Sequence, residues 1–226
     1  MERAAPVSTP VSLESLFAGI AFIKGRPVVL GAISLDLFAV LLGGATALLP
    51  VYARDILFVD GAPVGPHGLG LMRAAPALGA ALVAAVLAFR PLASGVGVKM
   101  LWSVVVFGLA TIGFGLSRNF TLSLAFLAVL GAADMVSVFI RSALVQLNTP
   151  DDKRGRVAAI SGLAISASNE LGEMESGIAA ALAGPTGAVV LGGIGAVLIT
   201  LIWARLFPEL GRVRTFASHY QEGHGP

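Results

Sequence analysis

A small set of charged and amide side chains falls inside stretches of this sequence that are otherwise apolar: Asp36, Arg73, Asp134, Arg141, Glu170, Glu173 and Glu175, with Asn169 among them. An ionisable group in hydrocarbon costs roughly 2.5–3.5 kcal/mol on insertion scales, so each needs a partner or a wet cavity. Groups of this kind suit the binding and passage of polar solutes or protons. Gly162, Ser166, Glu170, Glu173 and Gly177 step by four, four, three and four, which gathers them on one face of a helix. That stripe reads either as the wall of a water-filled cavity or as a network locking helices together. Arg73 lies at a depth close to that of Glu170 and Glu173, so an ion pair between the guanidinium and one of these carboxylates is expected. Asp36 and Asp134 both fall roughly 12 Å from one membrane edge at about 1.5 Å of rise per residue. Arg141 falls near that edge, where its long side chain is expected to snorkel out.

Several chemistries are excluded. The sequence has no cysteine, so thiolate nucleophiles, thiolate metal sites and disulfides are out. His67, His219 and His224 all lie outside the apolar stretches, leaving no serine–histidine dyad within them and no histidine beside Glu170 and Glu173 to complete a zinc site. No glycine-rich loop carries the Lys-Ser or Lys-Thr of a phosphate-binding motif. Asp36 and Asp134 at one depth would suit an aspartyl pair, but solute or proton passage accounts for them more simply. The reading is therefore of a non-enzyme without cofactor or metal. Lysine and arginine form no run suited to a nucleic-acid face.

The elements that must hold these residues are membrane helices. Of the 226 residues, 56% are hydrophobic and 12% charged, and the mean hydropathy is +0.88. Soluble domains carry about twice that share of charge. Runs of about 20 apolar residues, enough to cross a bilayer, fall at 28–50, 68–89, 98–116, 120–147, 156–183 and 185–206. Pro27, Pro50, Pro91 and Pro185 punctuate them. The expected fold is an all-α polytopic bundle of six transmembrane helices over 28–206, between a linker at 1–27 and a tail at 207–226. Lys24, Arg26, Arg90, Lys99, Lys153, Arg154, Arg156, Arg205, Arg212 and Arg214 collect on one side, and Arg54 and Arg118 on the other. Short cytoplasmic loops accumulate basic residues, so both termini are expected in the cytoplasm of a cell whose plasma membrane holds the chain. Leu13, Leu16, Phe17, Ile20 and Ile23, behind a Ser12 cap, predict a short helix in the inner interface. Glycine pairs within the spans predict closely approaching helices. In the loop after the fourth span, Asp151 or Asp152 is expected to cap the next helix, with Arg154 and Arg156 meeting lipid phosphate or a carboxylate.

Several segments in order resemble a known family. They are Leu35 to Pro50 with its Asp36 and Gly43-Gly44, Gly70 to Gly79 with Arg73 and Pro76, Gly131-Ala-Ala-Asp134, Pro150 to Val157, Ala167 to Glu173, and Trp203 to Leu210. Together they are similar to the C-terminal six helices of the enterobactin-exporter-like branch of the major facilitator superfamily. The resemblance implies secondary active, proton-coupled export of a small molecule such as a siderophore or drug. It also implies a twelve-helix whole with its path between two six-helix halves. Asp36, Arg73, Asp134, Asn169, Glu170 and Glu173 would then belong to the pathway or its coupling. Only one half is recognised here, so the expected partner is an N-terminal half or a second copy of the chain. A non-transporting scaffold or remnant is the alternative.

Overall fold

The structure, a computed structural model, describes residues 20–92 and 94–216. Helix α1 (Pro27–Leu42) starts on a proline at its first position, where the missing N–H is no loss. Gly43 and Gly44 interrupt it. The chain then runs through a 3-10 turn (Ala45–Leu48), one α turn (Leu49–Val51) and a π turn (Tyr52–Ile56). The first span is thus a broken helix rather than one continuous rod to residue 50. A small antiparallel hairpin follows, β1 (Phe58–Val59) against β2 (Ala62–Pro63). Its two-residue turn uses Asp60 and Gly61, both at positive φ (52° and 80°), as tight hairpins of Asp-Gly type require.

Helices α2 (Gly65–Phe89), α3 (Val96–Leu116) and α4 (Phe120–Leu147) come next. The side chain of Asn119 caps α4, its Oδ1 accepting from the Leu122 N–H at 3.0 Å. Helix α5 (Asp151–Leu206) is two helical arms meeting at a kink, where Gly184 stands at φ 75° and ψ 162° ahead of Pro185. A straight helix over the apolar stretch Lys153–Leu206, 54 residues, would be about 80 Å long, far beyond a hydrocarbon core of about 30 Å. Gly184 divides it into arms 151–183 and 185–206. Among the described residues five apolar helices are long enough to cross a membrane, and dividing the last at Gly184 gives six apolar segments, the number the sequence predicts. A short helix α6 (Pro208–Arg212) closes the described chain.

The bundle is sewn pairwise: α2 on α4, α3 on α4 and α5, and α1 on α5. One core gathers Tyr52, Leu57, Met72, Phe114 and Leu127 at the hairpin end. A second gathers Leu35, Met100, Ile140, Leu144 and Leu210 at the other end. Large apolar side chains also cover the outside, among them Leu78, Leu82, Phe89, Trp102, Leu163 and Leu206. Such a surface fits lipid, where helices satisfy their own backbone groups. The α2–α4 seam depends on two glycines. A Cβ on Gly79 would collide with the Ala128 carbonyl, and one on Gly131 with the Pro76 carbonyl. Residues 20–24 are helical. The rest of the expected interfacial helix, with Ser12, Leu13, Leu16 and Phe17, lies outside the described residues, as does the tail beyond 216.

Candidate functional site

Four helices and the break after α1 surround an open cleft of about 360 Å³. Gly43, Gly44 and Thr46 form its edge where α1 unwinds. Pro76, Ala77 and Ala80 come from α2, Phe107 from α3, Leu130, Gly131 and Asp134 from α4, and Asn169, Gly172 and Glu173 from α5. Small residues make this convergence possible. Gly172 faces the Val40 and Leu41 carbonyls, and Gly44 faces Ser176, so α1 and α5 approach with little between their backbones. The structure therefore brings Asp134, Asn169 and Glu173 to one opening. The whole α5 stripe of Gly162, Ser166, Glu170, Glu173 and Gly177 is exposed on the chain, and a Cβ on Gly162 or Gly177 would meet nothing within 4 Å.

A tight crevice adjoins the cleft, lined by Asp36, Ser103, Val104, Ala133, Asp134 and Ser137, and shares Val40 and Phe107 with it. Here the expectation for Arg141 is overturned. The guanidinium does not snorkel out; its side chain is 8% exposed and its Nε lies 3.3 Å from Oδ1 of Asp36, itself 6% exposed. The Nε makes no hydrogen bond in this geometry, so the contact is an ion pair held by charge. Asp134, Ser137 and Arg141 step by three and four along α4, which aims all three at α1. That spacing was readable in the sequence and places the arginine inside. The Ser137 hydroxyl is buried, 3% exposed, and has no hydrogen-bond partner among the described residues. Phe107, Thr46 and Ser137 belong to the lining as well, and only the assembled helices reveal them.

The expected pairing of Arg73 is not found. Among the described residues Arg73 forms no ion pair with Glu170 or Glu173, and all three are exposed. Helix α2 is seated on α4 whereas α5 is seated on α1 and α3, so these charges do not meet in one seam. Arg73 stands one turn before Pro76 in α2 and does not line the cleft. For Asp151 the capping expectation is not met. The cap position of α5 is Pro150, with no side-chain cap hydrogen bond. Asp151 instead pairs with Arg154 at 2.7 Å, and Arg154 donates from Nε to the Gln146 carbonyl at 3.3 Å and from Nη2 to the Thr149 carbonyl at 3.4 Å. Arg154 thus closes the loop onto itself. The side chain of Asp152 lies outside the described residues. Arg156 is half-buried and has no ion pair among them.

The opposite end is tied by a different arginine. Arg118 donates to the Gly115 and Ser117 carbonyls and to the Thr186 hydroxyl, the last at 3.0 Å. Tyr52 donates to the Gly115 carbonyl at 3.0 Å.

Comparison with known proteins agrees with this architecture. The chain is 30% identical over 207 residues to the enterobactin exporter EntS of Escherichia coli O1:K1, and 29% identical over 205 residues to that of strain E24377A. Over this stretch the chain is similar to these exporters. The matches cover 87% of this chain but 47% of each exporter, so the chain spans about half the length of these major facilitator relatives. No family model matches it. Its long apolar helices are those of a multi-pass membrane protein.

Proposed function

We propose that this chain forms one wall of the translocation path of a secondary active exporter of small molecules. The second wall comes from another six-helix half, an N-terminal half or a second copy. The observation that carries the reading is the exposed polar stripe of α5, whose Glu173 lines the cleft together with Asp134 and Asn169. Carboxylates and an amide cannot face lipid cheaply, and the chain's own helices do not cover them. Water and a facing wall satisfy both requirements. The expected enterobactin-type cargo, a siderophore, follows from the name of the relatives alone.

Glu173, Glu170 and Asn169 would line the path. Asp36, Arg141 and Asp134 would couple export to protons: the two carboxylates line one crevice next to the cleft, Arg141 pairs with Asp36, and protonating Asp36 would loosen the hold of Arg141 on α1. The broken segment after Gly43 would let α1 move relative to α5, as interrupted helices do at transporter sites. The loop carrying Asp151, Asp152, Arg154 and Arg156 would lie in the cytoplasm with both termini, at the inner face of the plasma membrane. No step needs a cofactor or a metal.

The test is flux in proteoliposomes. The chain alone should give no cargo-dependent, pH-gradient-driven flux, and co-reconstitution with a matching N-terminal six-helix half should restore it. Glu173→Gln and Asp134→Asn should then abolish it. Robust flux by the purified chain would favour the self-paired form, and flux indifferent to both substitutions would remove the cleft from the path.

A further inference from the structure

The charge of the cleft says what kind of cargo it suits, a point that rests on the pathway reading above. Asp134 and Glu173 reach it from different helices, and no lysine or arginine lines it. The nearest buried cation, Arg141, is engaged by Asp36. Counting the crevice and cleft together, Asp36, Asp134 and Glu173 face one guanidinium. The remaining lining is apolar or small, with one aromatic ring, Phe107, between the two spaces. The buried Ser137 hydroxyl, without a hydrogen-bond partner among the described residues, lines the crevice and suits a polar ligand atom or water there.

We propose that this cleft binds an organic cation carrying aromatic or other apolar groups, and that it discriminates against anionic cargo. The cationic centre sits between Asp134 and Glu173, where limited water strengthens attraction, and its apolar substituents rest on Phe107, whose ring face also favours positive charge.

The chain has no cysteine, which permits a direct test. Ala77→Cys places one thiol on the cleft wall, to be labelled in nanodiscs with methanethiosulfonates bearing either a trimethylammonium or a sulfonate group. Referred to the same ratio at Ala62→Cys in the exposed hairpin, the cationic reagent should react faster at position 77 by roughly tenfold, the size expected from one or two charges in a partly wet site. Glu173→Gln and Asp134→Asn should each cut that preference severalfold. Tetraphenylphosphonium should protect the thiol, and tetraphenylborate, of the same shape and opposite charge, should not. Equal reaction with both reagents, or protection by the borate alone, overturns the cation proposal and leaves a wet pathway standing. No reaction with either reagent overturns both, because a pathway wall must be wet.

Discussion

Arg141 of α4 and Asp36 of α1 form a buried ion pair, Nε to Oδ1 at 3.3 Å, joining two helices that make few other direct contacts. Buried pairs often add little net stability, yet removing one partner strands the other's charge at a cost of about 3–5 kcal/mol. Asp36→Asn and Arg141→Met should each destabilise the bundle on that scale. The double variant should lie closer to the parent than addition predicts. Unfolding titrations in mixed micelles give the cycle directly; strictly additive losses would show that the two charges do not depend on each other.

Gly184 separates the last two spans with a φ of 75° and ψ of 162°, a region that side-chain-bearing residues scarcely enter. Gly184→Ala should therefore destabilise the fold by about 1–3 kcal/mol, although no atom crowds the position. Gly177→Ala, on an equally open but helical position of α5, should be neutral or stabilising by up to about 1 kcal/mol. If the two variants melt alike, the turn at Gly184 is not fixed by its backbone conformation.

The six apolar segments were legible because long apolar runs and their proline punctuation follow directly from bilayer thickness; the edges of α4 coincide with those expected. The α5 stripe was legible from its spacing, and the cleft does gather Glu173 and Asn169 with Asp134. Partner choice was not. Arg73 and Arg141 are both arginines in apolar helices, and depth alone paired the first with α5 and sent the second to the surface. Which helix sits on which decides the matter: α2 meets α4, and α4 turns Arg141 toward α1. The break at Gly43-Gly44 was likewise hidden, since a hydropathy run does not register a helix that unwinds within it.

Orientation follows from charge. Lys24, Arg26, Arg90, Lys99 and the Lys153–Arg156 cluster lie at one end of the bundle, and Arg54 and Arg118 at the hairpin end. By the bias of cytoplasmic loops toward basic residues, a fluorescent protein fused after Pro226 should glow, and alkaline phosphatase inserted near Gly61 should be active outside the cytoplasm. An active phosphatase at the C-terminus would invert this topology and the placement of the Arg154 loop.

The seam between α2 and α4 sets the width of the cleft, because Ala77 and Ala80 stand on one side of it and Asp134 on the other. Gly131 faces the Pro76 backbone so closely that a methyl group has no room, and Pro76, held in mid-helix, cannot easily give way. Gly131→Ala should force the helices apart, costing about 1–3 kcal/mol as overpacked contacts do. It should also widen the opening, so that Ala77→Cys labels faster while charge preference falls. Gly70→Ala, also in α2 but with open space around it, supplies the comparison: it should be neutral or stabilising by up to about 1 kcal/mol and leave labelling unchanged. Indistinguishable behaviour of the two alanine variants would mean that α2 and α4 are not in the close contact the structure gives them, and that something other than this seam holds Asp134 at the cleft.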